Sequence, residues 1–261
     1  MNEAGDGSDD LITAVTKRAE FLSALSSEPI PKRDLGDELR VSRSTVYKAV
    51  RELREHDLVK RTDDGLELTL AGRLLETEYD TFRGCVEDVR RTRQLLSILP
   101  TDCELPMALV DDATVALAER HAPNHPVQYV EEIVSEADVA RGFSPVALPQ
   151  YVELFHKQAV RGNMSAELVL ERPVVRYLVT DYGDRLQEAL QSGDLSVWET
   201  TETLPFGLIA VEGERDGVCV VVYDDRGELR GLIANRAPEA VAWGREIFES
   251  YRDGADYIGG Q

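Results

Sequence analysis

Apolar positions recur at helical spacing through the first fifth of the chain, give way to two short strand-like runs, and return as one long helical stripe. Residues 1–9 are rich in Gly, Ser and Asp and are expected to form a disordered arm. Ile12, Val15, Ala19, Leu22 and Leu25 then predict a helix that Pro29 and Pro31 close. Pro31 can open a second helix, in which Leu35 and Leu39 lie one turn apart. Arg40 and Val41 turn the chain into a third, the best specified of the three. Ser42 is placed to cap it by accepting from the Thr45 N–H, and Val41 and Val46 form a hydrophobic staple across the cap. Val46, Val50, Leu53 and then Leu58 face a core, whereas Ser44, Lys48 and Arg51 recur on the opposite side.

The strand-like runs 58–62 and 66–69 are joined through Asp63, Asp64 and Gly65, a hairpin signal because glycine accepts the positive φ of a tight turn. Three helices and a hairpin over residues 10–70 are the order of elements of a winged helix-turn-helix, with the third helix as recognition helix and the hairpin as wing. Thr69 can cap a long helix that Pro100 ends, a linker over residues 71–99. Along it Leu75, Tyr79, Phe82, Val86, Val89 and Leu96 keep near-heptad spacing, interrupted by Arg93. Such a stripe either makes a dimer or packs on the chain's own next domain.

Residues 100–261 alternate in texture. The segment 105–117 is apolar enough for a strand or two, 121–126 reads as a loop, and 130–140 and 148–161 read as helices. A strand at 167–171, a helix at 174–191 and a strand at 195–200 predict a β-α-β unit. Strands at 207–211, 218–223 and 229–234 follow, then a helix opened by Pro238 with Val241, Gly244, Phe248 and Tyr251 on one face. The expected fold class is therefore α+β: an N-terminal winged helix-turn-helix, a long linker or dimer helix, and a C-terminal α/β domain with a mixed sheet.

Charge sharpens this picture. The 261 residues carry a formal charge of −20, and only five of the 29 basic residues are lysines. An acidic, lysine-poor surface is expected of a halophile protein kept soluble in concentrated salt. From Pro29 to Thr62, however, nine Lys or Arg face six Asp or Glu, a local +3 in an otherwise acidic chain. In molar salt the Debye length is about 3 Å, so the acidic remainder would repel DNA little. The three cysteines, Cys85, Cys103 and Cys219, form no C-x-x-C pair, as expected of a reduced intracellular chain. No signal pattern and no apolar run of about 18 residues is present, so a soluble, cytoplasmic protein without membrane partners is expected.

These features place Ser44, Thr45, Tyr47, Lys48 and Arg51 at the major groove of double-stranded DNA, Arg43, Lys32 and Arg33 at phosphates, and Lys60 and Arg61 on the wing near its tip. A homodimer would suit a two-fold operator. His121 and His125, with Asp111 and Asp112 nearby, have i, i+4 spacing, but Pro123 and Asn124 between them argue against a shared helical face, and neither metal nor cofactor is expected. No G-x-S-x-G, Walker A or H-E-x-x-H motif occurs, so no enzymatic activity is expected. For a small-molecule effector, Phe206 and Gly207 can contribute a ring and a close backbone approach, Arg172, Arg176 and Tyr182 can meet an anion, and His156 can line a pocket. The alternatives are a core Phe206, a turn at Gly207 and arginines paired on the surface.

The runs 204–208, 222–232 and 238–243 with Tyr251 and Arg252, and upstream 147–152 and 168–170, resemble the C-terminal FilR1-type domain of archaeal winged-helix regulators, the methanogenesis-regulator-like proteins abundant in haloarchaea. Residues 17–22 and 42–46 resemble the helix-turn-helix that usually accompanies it. The resemblance covers nearly the whole chain, is weakest over residues 103–126, and implies a transcription regulator with a sensor-like domain without naming what is sensed. Two other classes stand beside it: a winged-helix module docking on the transcription machinery, for which apolar anchors on the outward stripe would argue, and an enzyme fused to a winged helix.

Overall fold

The computed structural model describes residues 3–259, with side chains from residue 7, and divides into two compact units, the first through Val86 and the second from Glu87. The first contains α1 (Glu3–Lys17), α2 (Ala19–Ala24), α3 (Leu35–Glu38), α4 (Arg43–Glu55), β1 (Val59–Arg61), β2 (Leu66–Leu68) and the start of α5 (Leu70–Leu96). The disordered arm expected over residues 1–9 is corrected: Met1 and Asn2 lie outside the described residues, and the chain is helical from Glu3. The amphipathic turns around Ala14 and Val15, which are buried, supply the costly nucleus, and each further residue adds a hydrogen bond. The single helix expected to reach Leu25 is broken at Arg18, whose φ of −115° and ψ of 19° leave the helical region.

The core of this unit joins Phe21 and Leu22 of α2, Leu35 of α3, Val46, Ala49, Val50 and Leu53 of α4, and Leu58, Leu66 and Leu68 from the hairpin. Burying each of the larger side chains contributes roughly 1.5–3 kcal/mol relative to exposure. Arg40, at φ 54°, makes the turn between α3 and α4. In the hairpin, Gly65 has φ 147°, and a Cβ there would lie 2.6 Å from the Ile30 carbonyl. That close approach has a cause: Ile30 and Leu66 exchange backbone hydrogen bonds of 3.0 and 2.9 Å, which tie the hairpin to the segment before α3.

The second unit contains the end of α5, then α6 (Met107–Val110), β3 (Thr114–Leu117), α7 (His125–Ser135), β4 (Ala137–Ser144), α8 (Pro149–Val160), β5 (Ser165–Glu171), α9 (Arg172–Asp181), α10 (Gly183–Ser192), β6 (Leu195–Thr200), β7 (Gly207–Gly213), β8 (Gly217–Tyr223), β9 (Leu229–Asn235), α11 (Pro238–Asp253) and β10 (Asp256–Gly259). Its eight strands form one sheet in the order β10-β6-β5-β4-β7-β8-β9-β3. β4, β5 and β6 are parallel through the crossovers α8 and α9–α10, and the other pairings are antiparallel. Alternate residues of each strand face opposite layers. Ile209, Val211, Cys219 and Val221 pack with α7–α10, whereas Leu208, Ala210, Val218, Val220 and Val222 pack with α6, α11 and the end of α5.

Two expected boundaries fail here for tertiary reasons. The helix expected over 130–140 ends at Ser135, and 137–144 is a strand paired on both edges. Its charged Arg141 disguises it, but that side chain is taken up by Glu167 at 3.1 Å and by Glu212 on the neighbouring strands. The helix expected over 174–191 is two, broken at Tyr182 with φ −131°. Part of the apolar segment 105–117 is the helix α6, and β10, which pairs with β6, has no counterpart in the sequence pattern.

Candidate DNA interface and effector cavity

In the first unit the chemistry gathers on α4. Ser42 is extended at φ −67° and ψ 152°, and its hydroxyl accepts from the Thr45 N–H at 3.2 Å. The cap fixes the phase of the helix, so Val46, Ala49, Val50 and Leu53 are buried while Arg43, Ser44, Tyr47, Lys48 and Arg51 are exposed. Thr45 is half-buried; its hydroxyl and that of Ser44 lie 2.9 and 2.8 Å from the Ser42 Oγ, so both belong to the capped first turn. Lys32 reaches the same face, with its Nζ 3.5 Å from the centroid of the Tyr47 ring, a cation–π contact. Arg54, which the sequence reading passed over, is exposed on this face and lines one shallow depression with Lys32, Tyr47, Lys48 and Arg51. The signal was available: Arg54 stands three residues beyond Arg51 and seven beyond Tyr47.

The structure also shows which of these cations are already engaged. Arg33 pairs with Asp34 at 3.3 Å, Arg51 with Glu55 at 3.5 Å and Lys60 with Glu67 at 2.8 Å. Among the described residues, Arg43, Lys48, Arg54 and Arg61 have no carboxylate partner. Lys60 and Arg61 lie in β1, Arg61 in the last register pair before the turn, and the exposed tip itself carries Asp63 and Asp64. Anchoring Leu66 to Ile30 leaves only a short turn beyond the strands, which limits the reach of the ribbon.

The stripe along α5 divides. Leu75 and Tyr79 pack on the core of the first unit and Leu96 on that of the second. Phe82, Val86 and Val89 remain 61, 47 and 41% exposed.

In the second unit, α8, α9 and α10 cover β4–β8 incompletely and leave a cavity lined mainly by apolar side chains, among them Phe155, Leu168, Leu178, Leu186 and Ile209. Three of the six residues considered for an effector line it: His156, Tyr182 and Gly207. The other three do not, for distinct reasons. Phe206, in the bend just before β7, is buried in the opposite layer, with the Phe143 ring at 5.4 Å. Arg172 donates to Glu199 at 2.7 Å, and Arg176 is on the exposed side of α9. Tyr151, Tyr223 and Arg185, which the sequence reading missed, also line the cavity. The Tyr151 side chain is buried and its hydroxyl has no hydrogen-bond partner among the described residues. Burial pushes the Tyr151 and Tyr223 hydroxyls well above the usual phenol range, so both remain protonated donors. His156 Nε2 lies 2.9 Å from Glu188, which joins α8 to α10 beside the cavity.

The remaining candidates separate. His121 lies 3.1 Å from Glu119, and no group of three or more His, Cys, Asp or Glu among the described residues is placed to hold a metal. Burial pushes the Cys219 thiol up to about 12, which leaves it unreactive at neutral pH. No described helix is long and apolar enough to cross a membrane.

The first unit thus presents a capped helix with a basic outer face, and the second is a mixed-sheet unit with an apolar cavity. The chain belongs to the family of the methanogenesis regulatory protein FilR1, whose middle-domain model matches residues 123–254. Residues 6–91 match the HVO_A0261 N-terminal domain. No curated protein matches the chain. Among solved structures, the chain is similar to TrmBL2, an archaeal chromatin protein, at 13% identity and a TM-score of 0.44, covering 91% of this chain and 92% of that one. It is also similar to the phospholipase D family member Nuc from Salmonella typhimurium, at 11% identity and a TM-score of 0.44 over 57% of this chain and 99% of that one. NucT from Helicobacter pylori is similar at 6% identity and a TM-score of 0.42 over 56% and 98%.

Proposed function

We propose that the protein is a sequence-specific, homodimeric transcription regulator whose first unit is a winged helix and whose second unit senses a small molecule, with no catalytic step of its own. The observation that carries this reading is the outer face of α4: Tyr47, Lys48 and Arg51 exposed on a helix whose other side is core, within the net-positive stretch of a chain of charge −20. The first turn with Ser44 and Thr45 presents backbone N–H groups and hydroxyls, Lys48, Arg51 and Arg54 reach base edges or phosphates, and Arg43, Lys32 and Arg33 hold the backbone. Lys60 and Arg61 act from β1, Lys60 only by exchanging Glu67 for phosphate. The acidic surface suits a haloarchaeal cytoplasm, in whose salt the repulsion of DNA by the second unit is screened. An effector acts by binding the DNA-competent and incompetent states of the dimer with different affinity.

Footprinting on genomic DNA, including the protein's own promoter, in near-molar potassium salt tests this. A protected two-fold site, lost in a Lys48→Ala/Arg51→Ala double variant, is expected. Absence of any protected sequence with a folded wild-type dimer would move the assignment to a protein-docking module.

A further inference from the structure

The cavity of the second unit carries enough chemistry to identify the class of molecule it takes. Its free volume is about 100 Å³. An engineered apolar cavity of about 150 Å³ admits benzene, so the space here takes a short branched chain, or a ring only in part, with the remainder and the polar end at the mouth. The walls are Val152, Phe155, Leu168, Leu186, Ile209 and Val221. These walls offer a ligand apolar contact alone; the polar lining is confined to Ser144, Tyr151, His156, Tyr182, Arg185 and Tyr223.

Two of these polar groups carry the assignment. Tyr151, on the first turn of α8, is only 8% exposed, lines the cavity, and has a hydroxyl without a partner among the described residues. A hydroxyl buried without a protein partner carries a desolvation cost that a ligand oxygen would remove. The second feature is charge. The chain holds 49 Asp and Glu, yet none lines the cavity, whereas Arg185 does. Arg185 is exposed at the rim and meets no carboxylate among the described residues. Glu188, on the same helix, is occupied by His156 at 2.9 Å.

We infer that this cavity binds a small apolar carboxylic acid, with its ring or branched chain against the α8–α10 side chains, its carboxylate at Arg185, and an oxygen accepting a hydrogen bond from Tyr151. The inference rests on reading the second unit as an effector domain and adds the class of effector.

Calorimetry on the full-length protein in near-molar potassium salt, with phenylacetate as the probe and its neutral isostere phenylacetamide as the comparison, tests it. Saturable binding of phenylacetate, about 10-fold tighter than the amide, is expected, and Arg185→Gln should abolish that preference. Tyr151→Phe should weaken phenylacetate about 3- to 10-fold, the loss of one hydrogen bond, while raising the melting temperature of the ligand-free protein because it removes an unpartnered buried group. Equal affinity for acid and amide, no saturable binding of either, or a lowered melting temperature in Tyr151→Phe would each overturn the assignment. Footprinting with and without phenylacetate separates this from the wider reading. A footprint with no phenylacetate binding sinks the cavity assignment and leaves the regulator. Binding that leaves the footprint unchanged supports the cavity assignment and sinks the effector role.

Discussion

The carboxylate of Glu55 lies 3.5 Å from the Arg51 guanidinium, one turn further along the exposed face of α4. Both side chains are open to water, at 76 and 65% exposure, so the pair contributes only about 0.3–0.5 kcal/mol. Arg51 is therefore held loosely enough to exchange Glu55 for DNA, and Glu55 opposes that exchange by its own charge. Glu55→Gln should raise affinity for the footprinted operator by about 2- to 5-fold with little change in melting temperature, read by fluorescence anisotropy. A fall in affinity would mean that Glu55 orients Arg51 for DNA. Arg51→Ala, in contrast, should cost about 1–3 kcal/mol and relax specificity at one base position.

Glu52, on the buried edge of the same helix, is held by Arg18 at 2.7 Å and Lys17 at 3.1 Å. Burial raises its carboxyl pKa, but the hydrogen bonds from Arg18 and Lys17 outweigh it and hold the group below the usual carboxylate range. A carboxyl depressed in the folded state stabilises fully above its unfolded pKa, about 4.3, and loses that contribution as pH falls through the folded value. Glu52→Gln should thus cost about 1 kcal/mol at pH 7, and the difference from wild type should vanish in acid. Denaturation curves at pH 7 and pH 3 check this; an unchanged gap at pH 3 would assign the loss to packing instead.

Gly72 sits in the first turn of α5, where its N–H donates to the Thr69 cap at 3.0 Å. Helix propensity alone would make Gly72→Ala stabilising by about 1 kcal/mol. A Cβ at this position, however, would lie 2.0 Å from the Leu58 carbonyl oxygen, a backbone atom that cannot rotate away. The close approach should win, with a net loss of about 2 kcal/mol and a melting temperature lower by several degrees. Gly84 on the same helix has nothing within 4 Å of a Cβ, so Gly84→Ala should gain up to about 1 kcal/mol. Stabilisation by both substitutions would show that the start of α5 shifts freely.

What could be read without coordinates was local. Ser42, Thr45 and Val46 are neighbours, so cap, staple and helix phase follow from a few residues, and the outer face of α4 follows from the phase. Tertiary partners hid the rest. β4 carries Arg141 in mid-strand, and only Glu167 and Glu212, 26 and 71 residues away, make that tolerable. On the hairpin, Lys60 is engaged because Glu67 stands opposite it in the register, a partner that spacing along one strand does not reveal. The cavity was the least legible: Tyr151, Arg185 and Tyr223 come from three elements and share no spacing. Phe206 and Gly207, linked because they are consecutive, part: Gly207 opens β7 and lines the cavity, while Phe206 in the bend before it is buried in the opposite layer.

The middle of α5 offers the sharpest test of the dimer. Phe82, Val86 and Val89 lie on one side of the helix and are exposed, while Leu75 and Tyr79 before them and Leu96 after them are engaged in cores. If α5 meets its two-fold copy along this stretch, each residue is buried twice, since a two-fold interface uses the same patch from both subunits. Burial of one such side chain contributes roughly 1.5 kcal/mol or more, so Phe82→Glu should raise the dimer dissociation constant by about 100-fold or more and abolish two-fold protection of DNA at low protein concentration. Leu75→Ala, which opens a hole in the first unit's core, should instead lower the melting temperature and leave the dimer constant nearly unchanged. Sedimentation equilibrium over a range of concentrations measures both constants. A wild type that stays monomeric, or a Phe82→Glu variant that dimerises as tightly as wild type, would remove α5 from the interface.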